Sequence, residues 1–218
     1  MAQLFHRSSN TLSKVSIFAV LFLIAGALAF LYAYHNSDYM TYVDVPREQP
    51  VQFTHEHHVA GLGIDCRYCH TSVEKSSFAG IPPTETCMSC HSQIWTNAAI
   101  LAPIRESFRT GIPVKWTRVH DLPDYVFFNH SIHVAKGIGC ESCHGRVDKM
   151  PLMWKANTLY MQWCLSCHRD PAKNIRPRDQ IVTMGYKPSE DQAVLGPKLV
   201  NEYHVNVKQL TNCSICHR

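Results

Sequence analysis

The chain has 218 residues, a formal net charge of +4, ten cysteines and 14 histidines. Its length allows one or two domains. Its basic residues are scattered, without the run or stripe typical of nucleic-acid binding, so we expect no nucleic-acid partner.

The N-terminal part of the chain contains one long apolar segment. Val15 to Tyr34 form a run of 20 residues broken only by Ser16, which is long enough to cross a bilayer as a helix. It is also longer than the apolar region of a signal peptide, although the small-residue sequence ALA at 27–29 resembles a cleavage site. The alternative, a buried core helix, would need other segments to cover its whole circumference. We therefore predict a single uncleaved transmembrane anchor at residues 15–34.

The charges on either side of the anchor predict its orientation. Arg7 and Lys14 precede it, whereas residues 35–50 carry three acidic residues and one arginine. By the positive-inside rule, residues 1–14 form a cytoplasmic tail and residues 35–50 a linker on the other side. The bulk of the protein would then lie outside the cytoplasm.

All ten cysteines fall into Cys-x-x-Cys pairs, and a histidine directly follows each pair. This is the attachment signal of c-type haem, in which both sulfurs reach one porphyrin edge and the histidine binds the iron. The predicted cofactors are five covalently bound haem c groups with their iron. The predicted units are Cys66, Cys69 and His70; Cys87, Cys90 and His91; Cys140, Cys143 and His144; Cys164, Cys167 and His168; and Cys213, Cys216 and His217.

Three other interpretations of the cysteine pairs are weaker. Structural zinc needs no histidine after every pair. A disulfide scaffold needs no histidine either, and such short loops gain little from closure. A thioredoxin-like redox motif would occur once, near a βαβ pattern that is absent from the sequence.

A second motif, Phe-x-His-x-x-His, precedes two of the haem units. It begins at Phe53 and again at Phe128, and the next haem unit follows closely in both places. Histidines at i and i+3 can face two different haems from one helical turn, so each copy predicts two sixth ligands. The two copies form an internal repeat.

The predicted sixth ligands are histidines, because electron-transferring haems are closed to substrate by a second axial ligand. His120 precedes the second copy and is the fifth candidate; His204, before Cys213, and Met161, before Cys164, are rivals. The other four candidates are His55, His58, His130 and His133.

The predicted fold is mostly α-helical and irregular, with short helices, long coil and the haems forming the core. Twelve prolines and ten glycines agree with sparse secondary structure. The predicted modules are a two-haem module at 51–115, a second at 116–170, and an extended arm with the fifth haem at 171–218. No catalytic residue is predicted.

The modules resemble class III multihaem cytochromes c. The stretches FTHEHHVAGLGIDCRYCH, AGIPPTETCMSCH and QLTNCSICHR, with the sequence around the second copy, are similar to the pentahaem (ActA-type) subunit of bacterial alternative complex III. The resemblance implies an electron-transfer subunit, not an enzyme by itself. Its electrons would come from quinol and pass toward a periplasmic cytochrome c or an equivalent acceptor. The implied partners are an iron–sulfur and molybdopterin-like subunit, polytopic quinone-binding subunits and a monohaem cytochrome c.

Two other functions stay open at this point. One is a stand-alone membrane quinol dehydrogenase of the NapC/NrfH type, whose haem units begin closer to the anchor than Cys66 does to Tyr34. The other is a tethered periplasmic electron store without fixed partners. An iron with an exchangeable sixth position would distinguish the enzyme from an electron conduit.

Overall fold

The computed structural model describes residues 4–217, which divide into two compact units at Tyr42 and Val43. In the first unit, helix α1 (Ser8–His35) has 28 residues, contains the predicted anchor, and is followed by a short helix, α2 (Asp38–Thr41). At a rise of about 1.5 Å per residue, α1 is about 42 Å long, which exceeds a hydrocarbon core of about 30 Å. None of its residues is buried, and its mean hydropathy reaches 2.5. A helix that is apolar all round and uncovered by its own chain is suited to a membrane.

The second unit contains short helices joined by long irregular segments. Residues 43–217 show no β-strand beyond two isolated bridges, Val43 with Lys155 and Ile138 with Ile175. The predicted fold class is therefore confirmed in its helices and coil. The α-helices are α3 (Cys66–Cys69), α4 (Thr84–His91), α5 (Ala102–Thr110), α6 (His130–Ala135), α7 (Cys140–His144), α8 (Met161–Arg169), α9 (Gln192–Glu202) and α10 (Cys213–Cys216).

Single turns of tighter or wider helix complete the second unit. A π-helical turn covers Glu56–Gly61. The 3₁₀ turns are Ala99–Leu101, Val147–Lys149, Pro171–Lys173, Arg178–Gln180 and Val207–Gln209.

Side chains bury little of the second unit. One cluster contains Val51, Leu101 and Ile104, and the other contains Ile175, Leu195, Leu199 and Tyr203. Such small clusters supply little of the apolar burial that a domain of this size needs. Cys87 and Met88 of α4 pack against the first cluster, whereas no described residue of α3, α7, α8 or α10 belongs to either cluster. This arrangement agrees with a core that includes another apolar component.

Residues 171–205 are folded, whereas the sequence predicted an extended arm. Two 3₁₀ turns and α9 return this segment to the end of α6, where Lys136 Nζ donates to the Tyr203 carbonyl at 2.6 Å. Leu195 and Leu199 lie one helical turn apart and pack with Ile175. This apolar spacing provides the physical reason for a helix in place of an arm.

Candidate haem-binding site

Each cysteine pair has a short helix of its own: α3, α4, α7, α8 and α10. One helical turn places both sulfurs of a pair on the same side. None of the ten cysteines is paired in a disulfide. Within residues 4–217, no three or more His, Cys, Asp or Glu side chains gather to hold a bare metal ion. Haem iron needs only axial ligands from the protein, because the porphyrin supplies the others.

Four of the five histidines that follow the cysteine pairs donate Nδ1–H to a backbone carbonyl. Such a bond fixes the tautomer and leaves Nε2 free for a metal. The acceptors lie far from the motif along the chain in most cases, so no local sequence pattern indicates them. The Nδ1–oxygen distances are 2.7 Å for His70 and Gly80, 3.1 Å for His91 and Ile94, 2.8 Å for His168 and Leu210, and 3.2 Å for His217 and Tyr125.

The two Phe-x-His-x-x-His copies have nearly the same ring geometry. Phe53 stacks on His58 with centroids 4.4 Å apart, and Phe128 stacks on His133 at 4.6 Å. Phe53 also meets His55 edge-on at 4.9 Å, as Phe128 meets the histidine at the equivalent position at 4.8 Å. The aromatic ring thus supports both histidines of its copy.

Hydrogen bonds orient the histidines of these copies as well. His58 Nδ1 lies 2.8 Å from the Thr54 carbonyl, and His133 Nδ1 lies 2.7 Å from the equivalent carbonyl of Asn129. His130 Nδ1 lies 2.8 Å from the Ser77 carbonyl. Nε2 is again the nitrogen left for a metal.

Three histidine pairs have the separation expected of two axial ligands. Metal–nitrogen bonds of about 2 Å, plus about 1 Å from nitrogen to ring centre, put the two ring centres about 6 Å apart. The observed separations are 6.3 Å for His58 and His91, 6.4 Å for His130 and His144, and 6.1 Å for His133 and His168. The residues present therefore fit haem in both chemistry and spacing.

Two further predicted ligands have different surroundings. His55 lies close to His70, whose charge helps to lower the pKa of His55, and the buried Nδ1 of His55 has no hydrogen-bond partner among residues 4–217. His120 does not face a ring across a gap of this size. Its Nε2 lies 3.2 Å from Nδ1 of His144. The rival ligands His204 and Met161 are both exposed, the methionine by 63%.

The family of cytochrome c7 and related cytochromes c matches residues 126–218. The multihaem cytochrome c subunit of a menaquinone reductase from Nitratidesulfovibrio vulgaris is 30% identical over 177 residues. That match covers 79% of this chain and 78% of the relative. The chain is a multihaem cytochrome c. Membership of the multihaem cytochromes c makes covalently bound haem c the cofactor of this chain.

In this cytochrome, burial keeps several of the clustered imidazoles neutral. Burial, helped by the charge of His70, lowers the pKa of His55 to about 4. Burial and the charge of Lys155 lower the pKa of His120 to about 4. For His144, burial and the neighbouring imidazoles lower the pKa to about 3. A histidine must be neutral to bind a metal, so these surroundings favour ligation at pH 7.

Contacts between the five Cys-x-x-Cys-His motifs place them in single file, in the order second, first, third, fourth and fifth. The Tyr68 and Ser89 hydroxyls, 3.1 Å apart, join the first unit to the second. The nearby side chain of Cys140 is the main cause that lowers the pKa of the Cys66 thiol, so the first and third motifs are neighbours. Burial, with smaller contributions from Cys167 and Cys164, raises the pKa of Cys143 to about 12, so the third and fourth units are neighbours. The bond from His168 to the Leu210 carbonyl joins the fourth unit to the fifth.

Proposed function

We propose that this cytochrome is a five-haem, membrane-anchored electron conduit of a quinone-linked respiratory complex. The observation that carries the proposal is the set of histidine pairs about 6 Å apart beside cysteine pairs that follow one another in single file. Each haem, when bound, supplies a one-electron carrier. The chain supplies its attachment, its axial ligands and its spacing.

In this proposal the ten cysteines hold the haems, and His70, His91, His144, His168 and His217 are the first axial ligands. His58, His130 and His133 would bind the same irons as His91, His144 and His168, respectively, which their ring separations support. His55 serves the first haem, opposite His70, which its proximity to that residue supports. A second imidazole on the iron would leave no open position for a substrate at these four haems, which supports an electron-transfer subunit that is not an enzyme by itself.

The complex we favour is of the alternative complex III type, with an iron–sulfur and molybdopterin-like subunit, polytopic quinone-binding subunits and a monohaem cytochrome c. Helix α1 would anchor the chain, with its N-terminus in the cytoplasm and the haem unit on the periplasmic side. The relative belongs to a menaquinone reductase, which makes transfer of electrons into the quinone pool the second candidate. A conduit transmits in either direction, and the potentials of its partners decide which.

The test is electron paramagnetic resonance of the oxidised full chain in detergent, together with a count of haems by pyridine haemochrome absorbance. We expect five haems per chain and low-spin signals from those with two imidazole ligands. Fewer than five haems would remove the assignment of cofactors. Quinol oxidation by the purified chain alone, with a high-spin signal, would favour the stand-alone quinol dehydrogenase.

The direction of transfer needs the native membrane complex. Under the alternative complex III proposal, quinol added to these membranes reduces the haems, and a soluble cytochrome c reoxidises them. If a low-potential donor reduces the haems and only a quinone reoxidises them, the menaquinone-reducing role replaces it.

A further inference from the structure

One histidine next to a cysteine pair has a hydrogen-bond partner unlike the others. Nδ1 of His70, His91, His168 and His217 points at a backbone carbonyl. Nδ1 of His144 instead lies 3.2 Å from Nε2 of His120, with the two rings tilted at 68° and centroids 4.3 Å apart. A centroid distance this short leaves no room for a metal between the two rings.

The other side of the His144 ring faces a histidine that is proposed to bind the same iron. His130 lies 6.4 Å away with its ring only 9° from parallel, which is the spacing of two axial ligands. His130 is itself oriented by the Ser77 carbonyl at 2.8 Å. His144 therefore faces His130 across the proposed iron position and touches His120 at its other nitrogen.

The chemistry of an axial imidazole fixes the direction of the hydrogen bond. A neutral imidazole that binds iron through Nε2 carries its proton on Nδ1. His144 must therefore donate, and Nε2 of His120 must accept with its own proton on Nδ1. The lone pair of an imidazole nitrogen is more basic than a peptide carbonyl oxygen. An acceptor of this kind increases the electron donation of the ligand to the iron.

We propose that His120 is a positioning residue that accepts the Nδ1 proton of His144 and lowers the reduction potential of the third haem. A ligand with more anionic character stabilises the oxidised iron over the reduced iron. The sequence predicted His120 as a sixth ligand, and the two roles give opposite spectroscopic results when it is replaced. The inference rests on the proposed function, because it requires His144 to bind iron.

The experiment compares the full chain with the variants His120→Gln and His120→Leu, each purified in detergent with its haems attached. His6→Leu is the matched control, since His6 lies in the N-terminal compact unit that ends at Tyr42, and its Nδ1 lies 2.8 Å from the Ser8 hydroxyl and 3.3 Å from the Ser8 amide. Three measurements are made on every sample: the haem count, the electron paramagnetic resonance spectrum, and a redox titration of the visible α-band.

We expect His120→Leu to keep five haems and the low-spin signals of the parent chain. One-fifth of the α-band amplitude should titrate at a potential about 59 mV higher than in the parent chain. At a fixed applied potential, this shift corresponds to about a tenfold larger ratio of reduced to oxidised haem. His120→Gln, whose side-chain oxygen can accept the proton, should shift the same component by less. His6→Leu should titrate like the parent.

Two results would overturn the inference. A new high-spin signal in His120→Gln would make His120 an axial ligand. This result can be obtained whether or not the leucine variant retains its haems. An unchanged titration in both variants would show that the hydrogen bond does not tune the iron. Fewer than five haems in the parent chain, by contrast, would refute the proposed function and not this contact alone.

Discussion

The two Phe-x-His-x-x-His copies are the same at their rings and different in what surrounds them. Their phenylalanine–histidine distances agree within 0.2 Å and their interplanar angles within 2°. This agreement shows that six residues of sequence are enough to set the relative positions of the two histidines. The surroundings differ because they come from residues distant in the chain.

The first difference is one residue of backbone. Between the second histidine and the cysteine pair, the first copy is one residue longer and contains the π-helical turn Glu56–Gly61, whereas the second has the regular α6. Ile64 N donates to the His58 carbonyl, and the equivalent Ile138 N donates to the His133 carbonyl. A π turn absorbs one extra residue, so both copies deliver the cysteine pair in the same way.

The second difference is coverage by the C-terminal segment. Gly63 and Gly137 are equivalent and both have positive φ, 69° and 79°. No atom lies within 4 Å of a Cβ built on Gly63. A Cβ on Gly137 would lie 2.6 Å from the Arg176 carbonyl and 2.7 Å from the Tyr203 ring. The same motif is therefore open in the first copy and covered by the chain's own C-terminal segment in the second.

Removing one second axial histidine from each copy should have the largest effect. We expect His58→Ala and His133→Ala each to convert one haem completely from low spin to high spin, because an alanine cannot bind the iron. Electron paramagnetic resonance of the oxidised variants checks this. Equal high-spin amplitudes would confirm that the copies are equivalent, and an unchanged spectrum in either would show that its histidine is not a ligand.

Replacing the two equivalent glycines by alanine should destabilise the protein by different amounts in the two copies. Gly137→Ala adds a clash with backbone to the cost of a positive φ, and we expect a loss of about 3 kcal/mol or more. Gly63→Ala carries only the cost of its φ, about 1 kcal/mol. Guanidinium unfolding of the two variants, followed by circular dichroism, measures the difference. Equal losses would contradict the coverage of the second copy by residues 176 and 203.

These comparisons also show how far the sequence could predict the molecule. The anchor helix, the helical and irregular fold, and the approach of histidines to the haem units follow from apolar length and from motif spacing. Helix α9 was not predicted, because its apolar spacing is short and interrupted by Pro197. The contact of His120 with His144 joins residues 24 apart in the chain, and no local pattern encodes such a contact.

Replacing the residue before the first histidine of each copy should have a smaller effect on the free energy of unfolding. The side chain of Asn129 caps α6 by accepting from Ser131 N at 2.9 Å and from the Ser131 hydroxyl at 2.7 Å, whereas the Thr54 hydroxyl accepts a longer bond, 3.3 Å, from His57 N. We expect Asn129→Ala to cost about 1 kcal/mol and Thr54→Ala a few tenths, roughly the range for helix caps. Guanidinium midpoints at equal slope give both values. A larger loss from the threonine variant would contradict this order.

Neutralising the acidic residue four positions after the first haem-motif histidine of each copy should give the smallest difference in stability between the two copies. Asp148 accepts two bonds from the Arg146 guanidinium, at 2.6 and 2.8 Å, and is nearly buried. Its counterpart Glu74 makes a 3.3 Å contact with Arg67 in which both side chains are half exposed. Exposed ion pairs contribute little, so we expect Glu74→Gln to be nearly neutral and Asp148→Asn to cost about 1 kcal/mol.

The same pair gives a pH dependence with a definite sign. The hydrogen bonds from Arg146 hold the pKa of Asp148 below its ordinary value of 3.8. A carboxyl whose pKa is lower in the folded protein stabilises it at pH values above 3.8, and this contribution disappears as the pH falls through the folded pKa. The stability difference between the parent chain and Asp148→Asn should therefore be constant from pH 7 to about 5 and shrink below about 4. Unfolding midpoints of both proteins across this range measure it, and a difference that persists undiminished at pH 3 would show that the side chain acts through its shape and not its charge.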